Sequence, residues 1–348
     1  KDSNRMYYIF IDEVQYTIQR AELKNPVTTE LYGMLNGLLR LKNTDIYVTG
    51  SNSKMLTSDV LTAFRGRGDK VEIWPLSFKE FYGFVAGDID EAFEQYALYG
   101  GLPGTLSYSE QEDRISYLES LFDEIYFKDI VERYGIELPE ILAQITDELS
   151  SSIGSLTTAS SLARALSSSK RSQVNSVTVY SYLGYLEESF LFRCVKRYDV
   201  KGKRYFSYPV KYYCADVGLR NVRLNFRQQE ESHIMENIIY NELVSRGYAV
   251  DVGVVTVDQQ GEDKKVKRKN FEIDFIINKG MKKYYIQSAL RMDTLDKKMQ
   301  EQRPLHAVRD SFSKIIITKT RMKPWMDDHG VKHIGLYDFL LDEKAIDL

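Results

Sequence analysis

Two adjacent carboxylates, Asp12 and Glu13, close an unbroken apolar and aromatic run, Tyr7-Tyr8-Ile9-Phe10-Ile11. Such a run suits a strand buried on both faces of a parallel sheet. Acids at the C-terminal end of that strand stand where open α/β sheets bind their ligands. There an Asp can hold Mg²⁺, usually through water, and the next Glu can orient or deprotonate an attacking water. This is the Walker B pattern, with Asp12 as the metal residue. A strand running into an acidic turn gives the same letters, so the downstream spacing has to decide.

A helix-like stretch from Thr28 to Leu41 leads into a second short strand, Asp45-Ile46-Tyr47-Val48-Thr49, which ends in Gly50-Ser51-Asn52-Ser53. Ser51 or Asn52 resembles the polar residue with which AAA-type ATPases contact the γ-phosphate or the attacking water at this point, although Gly-Ser-Asn-Ser also reads as a plain turn that caps a helix. One helix later come Phe64-Arg65-Gly66-Arg67-Gly68 and then Pro75-Leu76-Ser77-Phe78-Lys79-Glu80-Phe81. Tyr99-Gly100-Gly101-Leu102-Pro103 and Lys128-Asp129-Ile130-Val131-Glu132-Arg133 complete the series. In this order the motifs resemble a large bacterial and archaeal AAA-type ATPase family with a C-terminal domain of unknown function. The resemblance implies ATP and Mg²⁺ as ligands. It also implies that Arg67 is an arginine finger, acting in cis or from a neighbouring subunit of a homo-oligomer; Arg65 is the weaker candidate.

Such a family carries a GxxxxGK[ST] loop about sixty residues before Walker B, whose N–H groups cradle the phosphates. No such loop occurs in the sequence, and Thr49 to Lys54 lacks the second glycine. The persistence of Asp12, Glu13, Ser51 and Arg67 favours truncation over loss of the nucleotide site. The chain by itself is expected to bind ATP poorly.

Ser109 to Tyr134 and Leu138 to Leu149 read as helices of a lid. Between Ser109 and Ser150, three basic residues face twelve acidic ones. After Ser150-Ser151-Ser152 the pattern is helix, turn, helix, hairpin, which resembles a winged helix. Its second helix, Ser176 to Glu188, is expected to turn Val177, Tyr180, Leu183 and Leu186 inward, with Ser176, Thr178, Ser181 and Tyr182 outward. Lys201, Lys203 and Arg204 would lie on the wing. Between Lys170 and Arg227, twelve basic residues stand against four acidic, a surplus of eight. Double-stranded DNA is therefore the expected partner here, through Ser176, Thr178, Lys201, Lys203 and Arg204, although such modules also pack against protein.

Near the C-terminus, a helix from His233 to Arg246 carries Glu236. The strands Phe271–Ile277 and Lys283–Ala289 follow, the first bearing Asp274. The layout resembles a restriction-endonuclease core, in which a helix Glu, a strand Asp and an acid-x-Lys pair hold Mg²⁺. Gln287 stands where the acid belongs and Ala289 where the lysine belongs. A neutral amide is a poor Mg²⁺ ligand and Ala handles no proton, so hydrolysis is not expected from this degenerate site of Glu236, Asp274 and Gln287. Arg291 is the one residue near enough in sequence to stand in for the lysine.

The 348 residues carry a net charge of −3 and two cysteines, Cys194 and Cys214, on apolar segments. This excludes a disulfide scaffold and fits a reducing cytoplasm. His329 and His333 have ligand-like spacing but no third partner, and no apolar run is long enough for a bilayer. The fold class expected is α/β: a truncated parallel-sheet P-loop ATPase core (residues 1–105), a helical lid (106–150), a winged helix (151–228) and a restriction-endonuclease-like domain (229–348). The leading function is a DNA-associated ATPase, and its rivals are a metal-dependent nuclease and a non-enzymatic interaction or regulatory protein.

Overall fold

Short apolar runs bounded by polar turns make the first strands. β1 (Tyr7–Ile11) and β2 (Thr44–Val48) pair in parallel, from Tyr7 opposite Thr44 to Ile11 opposite Val48. A parallel pair needs a crossover, and α1 (Glu30–Leu38) lies in the chain between them. The structure, a computed structural model, describes residues 5–14, 30–50, 68–168, 174–260 and 266–347. The chain divides into a unit of residues 1–73 with 184–191 and a larger one of residues 74–183 with 192–348. The expectation that β1 is buried on both faces is corrected: Tyr8 is 60% and Phe10 74% exposed. Phe10 stacks on Tyr47 of β2 at 5.1 Å, so one face of this pair is an aromatic surface.

The larger unit opens with a local lock. Ser77 caps α2 (Phe78–Val85), its hydroxyl accepting from the Glu80 N–H while the Glu80 carboxylate accepts from the Ser77 N–H at 2.8 Å. This capping box explains why Ser and Glu are three apart in Pro-Leu-Ser-Phe-Lys-Glu-Phe. Its two phenylalanines, Phe78 and Phe81, are buried against Phe93 and Tyr96 of α3 (Ile89–Tyr99) in edge-to-face pairs. An acidic helical run follows: α4 (Gln111–Ser120), a π-helical stretch (Leu121–Phe127) and α5 (Lys128–Tyr134), which Gly135 ends in the left-handed region at φ 59°. Then come α6 (Pro139–Ser151), α7 (Ala159–Ser168) and α8 (Ser176–Glu188).

The remaining strands form one mixed sheet. These are β3 (Leu156–Thr157), β4 (Phe192–Asp199), β5 (Arg204–Cys214), β6 (Ala249–Gln260), β7 (Val266–Lys279), β8 (Lys282–Ala289), β9 (Ser313–Thr318), β10 (Trp325–Met326) and β11 (Val331–Gly335). Their order among the described residues is β10-β11-β9-β8-β7-β6-β4-β5-β3. The β4–β5 hairpin, expected as the wing of a separate module, is thus continuous with the C-terminal strands. The joint is a parallel pairing of Arg197, Tyr198 and Asp199 with Val252, Gly253 and Val254, so no break between sheets falls at residue 228.

Alternation sends the side chains of each strand to two cores. Tyr213, Phe275, Ile286 and Ile315 pack with Ile239 of α10 (Glu231–Ser245) and Phe339 of α12 (Leu336–Leu341). Tyr285, Ile316 and Ile273 pack with Leu305 of α11 (Leu295–His306).

A buried carboxylate holds the Gly-Gly-Leu-Pro turn in place. Asp216 caps α9 (Val217–Arg223), accepting from Gly218 N at 2.8 Å and Leu219 N at 3.2 Å, and it takes the Gly101 N–H at 2.7 Å. A Cβ on Gly100, whose φ is 76°, would lie 2.0 Å from Asp216 Oδ1, and one on Gly101 would lie 2.2 Å from the Leu76 carbonyl oxygen. Close approach therefore requires both glycines, and at Gly100 the conformation requires one as well. Asn221 then donates to the carbonyls of Ala97 and Leu98, each at 2.9 Å, and the buried Arg220 donates to the Ser150 carbonyl at 2.9 Å.

Burial pushes Asp216 up to about 6, against the pull of its three N–H donors. The folded carboxyl thus keeps its proton to higher pH than the unfolded one. Between its ordinary value of 3.8 and about 6 the folded state binds more protons, and stability falls as pH rises through that window. The loss approaches about 3 kcal/mol at 1.36 kcal/mol per pKa unit. Urea midpoints measured across this range should show the native protein losing that much relative to Asp216→Asn, and parallel curves would contradict the assignment.

Candidate functional site

The strand ends of the smaller unit bring the first carboxylates to a shared point. Ile11 O accepts from Thr49 N at 2.9 Å and Thr49 O from Val14 N at 3.0 Å, so the backbone carries the parallel pairing past the end of β1. The Thr49 hydroxyl donates to Asp12 Oδ1 and accepts from the Glu13 N–H at 3.1 Å. Asp12 is exposed and Glu13 half-buried. Glu13 has φ 46°, a left-handed conformation that a non-glycine residue rarely takes and that often marks a functional turn. Thr49 was missed in the sequence reading, which looked one turn later for a hydroxyl; a Thr at the C-terminal end of the neighbouring strand was the signal. Ser51, Asn52 and Arg67 lie outside the described residues.

The second set of carboxylates assembles around a residue that no motif had indicated. Lys211 of β5 is 3% exposed, with Nζ 2.9 Å from Glu236 Oε1 and 2.8 Å from Glu272 Oε1. Tyr213, two residues along the same strand, donates to the same Glu236 oxygen at 2.6 Å. Asp274 lies on β7 two residues after Glu272, and its Oδ2 accepts from Ser288 N at 2.8 Å. Gly154 closes the site: a Cβ there would lie 3.1 Å from Glu236 Oε1.

The electrostatics follow from this crowding. Burial alone would lower the Lys211 ammonium, but Glu236, Asp274 and Glu272 outweigh it and hold the group above its ordinary value. Asp274 is driven the other way for a carboxyl: burial first, then the negative Glu236, raise it well above the usual carboxylate range. The Lys211 ammonium is thus favoured by the carboxylates around it, while the charged form of Asp274 is disfavoured by burial and by Glu236.

Gln287 is not part of this cluster. It shares the strand face of Tyr285 and Ala289, which line the α11-side core, and its Nε2 donates to Glu301 Oε2 of α11 at 3.0 Å. Its Oε1 is buried with no partner. Of the expected degenerate triad, Glu236 and Asp274 come together and Gln287 does not. The amine absent at Ala289 arrives from β5 instead. Among the described residues, no group of three or more His, Cys, Asp or Glu side chains is arranged to hold a metal ion, and His333 pairs with Asp327 at 3.2 Å.

The expected DNA surface is also redrawn. On α8, Val177 is 67% and Tyr180 59% exposed, Tyr182 is buried, and Ser176 and Thr178 are half-buried. Val177 and Tyr180, expected inward, thus face outward, whereas Leu183 and Leu186 are buried as expected. At the hairpin tip, Asp199 Oδ1 accepts from Lys201 N at 3.1 Å and Gly202 N at 2.9 Å, a tight turn in which a Cβ on Gly202 would lie 2.3 Å from Asp199 Oδ2. Lys203 and Arg204 are exposed there. Lys201 spends its ammonium on the Thr256 carbonyl at 2.6 Å.

An AAA domain matches residues 1–82, and a domain of unknown function (DUF8612) matches residues 90–230. The chain is 31% identical over 344 residues to an uncharacterized protein of Haemophilus influenzae, covering 97% of this chain and 78% of that protein. It is 26% identical over 330 residues to uncharacterized protein MJ1544 of Methanocaldococcus jannaschii, covering 89% and 71%. Among solved structures, protein VC1899 from Vibrio cholerae aligns with 97% of this chain and 90% of its own at 12% identity, with a TM-score of 0.25 on which no shared fold can rest. Among the described residues, no helix is long and apolar enough to cross a membrane. The chain belongs to the same family as the Haemophilus influenzae protein, and its residues 1–82 make it an AAA-type, ATPase-like member.

Proposed function

We propose that this protein is an AAA-type ATPase whose hydrolytic carboxylates are Asp12 and Glu13. The observation that carries the reading is the contact between Thr49 and Asp12 at the ends of two paired parallel strands, where α/β sheets bind ligands. One Asp12 oxygen is held by the Thr49 hydroxyl and the side chain is exposed, which suits a Mg²⁺ or metal-water ligand. Mg²⁺ bound there would neutralise charge on the transferring phosphoryl group. Glu13, its backbone N–H anchored to the same hydroxyl, orients the attacking water and takes its proton. Ser51 or Asn52 senses the phosphate, and Arg67 stabilises the charge that develops on it. Tight binding of ATP also requires a phosphate-cradling loop of the GxxxxGK[ST] kind.

In the larger unit, the helix Glu, strand Asp and following strand support a restriction-endonuclease-like ancestry. Glu236 is there tied to the buried Lys211, Asp274 to the Ser288 N–H and Gln287 to Glu301. This favours a docking role over cleavage. Lys203 and Arg204, exposed at the β4–β5 turn, favour DNA as the molecule docked.

Two experiments on the full-length gene product test these statements. Glu13→Gln should lower ATP turnover by at least about 100-fold while a fluorescent nucleotide still binds, the scale expected for loss of a general base. Unchanged phosphate release would remove that role from Glu13. For DNA, the double variant Lys203→Ala, Arg204→Ala should weaken duplex binding at low salt and reduce the slope of log affinity against log salt by about 2. An unaltered slope would place any DNA contact elsewhere.

A further inference from the structure

The cluster around Lys211 has the ingredients of a metal centre with one substitution. Glu236 from α10 and Glu272 from β7 each aim an oxygen at one point, and Tyr213 steadies the first of them. In a metal site that point holds a divalent cation, with oxygens at 2.0–2.6 Å depending on the ion. Here it holds a nitrogen, with oxygens at 2.9 and 2.8 Å. The difference is between about 0.2 and 0.9 Å depending on the ion, within reach of side-chain adjustment.

We infer that the Lys211 ammonium is the resident cation of this carboxylate site, shutting out divalent metals, and that deleting its side chain opens a divalent-metal site. The charge balance supports this. One ammonium against two glutamates in direct contact leaves a residual negative charge, relieved only by the partial exposure of Glu272, whose side chain is 32% exposed. A divalent ion at the same point would balance both. The stem of Lys211 also fills the route from β5, and Gly154 leaves no slack beside Glu236. Ion and lysine therefore compete for one volume. A buried charge left without its counter-charge is strongly unfavourable, which makes the competition steep.

The experiment is Mn²⁺ binding followed by electron paramagnetic resonance of the free ion, on the whole chain. The native protein should show no site that is lost on Glu236→Gln. Lys211→Ala should gain one equivalent, bound at least about tenfold more tightly than any surface site, and Lys211→Ala with Glu236→Gln should lose it again. A native site abolished by Glu236→Gln would overturn the inference, as would a folded Lys211→Ala that gains none. Where Lys211→Ala fails to fold in metal-free buffer, Mn²⁺ should restore its cooperative melt, and failure to do so would equally overturn it.

Discussion

The ammonium of Lys211 is buried between a glutamate from a helix and a glutamate from a strand three positions away across the sheet. Three elements meet in that contact: β5, whose Tyr213 also grips Glu236, α10 and β7. Removal of Lys211 would leave Glu236 without its counter-charge in the interior, at a cost of about 3–5 kcal/mol. The surrounding packing is tied to it. Tyr213 stacks on Tyr240 of α10 at 4.3 Å, and Asn237, one residue after Glu236, hydrogen-bonds both the N–H and the carbonyl of Cys214 at 2.8 Å. The helix thus reads the end of β5 by its amide while Glu236 reads its lysine. What looks like a hydrolytic centre in outline is bound up in holding the sheet to its helix.

The two carboxylate groups of the protein differ in the property that decides what each can do. Asp12 is exposed at a strand end with a hydroxyl on one oxygen; Asp274 is buried, its carboxyl pushed well above the usual carboxylate range by burial and then by Glu236. An exposed acid can exchange water for a metal at little expense, whereas a buried one whose charged form is already disfavoured cannot. The proposal that Asp12 and Glu13 carry the chemistry rests on that contrast and on the AAA domain matched over residues 1–82. Asp216 is a third case, buried like Asp274 but satisfied by three backbone N–H groups, and it serves the architecture of the glycine turn.

Much of this was legible before any coordinates. The strand that ends in Asp12-Glu13 and its neighbour come out parallel, and the helix bearing Glu236 and the strand bearing Asp274 both form. Three things were not legible, each for a physical reason. Lys211 sits alone in the apolar run Val210-Lys211-Tyr212-Tyr213-Cys214, 25 residues before Glu236, and no spacing rule links an ammonium on one strand to acids on a distant one. On α8 the expected inward set advanced by three residues each step, which drifts around a helix of 3.6 residues per turn; the buried set is Val179, Tyr182, Leu183 and Leu186, at helical spacing. The wing merged into the main sheet because β4 pairs with β6 across about fifty residues of intervening chain, a non-local pairing that local patterns cannot report.

The central claim is that this protein's chemistry is phosphoryl transfer at Asp12 and Glu13, with no metal hydrolysis at Glu236 and Asp274. The most direct measurement follows phosphate release from ATP and strand scission of a plasmid in the same sample of full-length gene product, with Mg²⁺ and then Mn²⁺. Phosphate release without scission under either ion is the predicted result. Scission that disappears on Asp274→Asn, in a sample that releases no phosphate, would contradict the account.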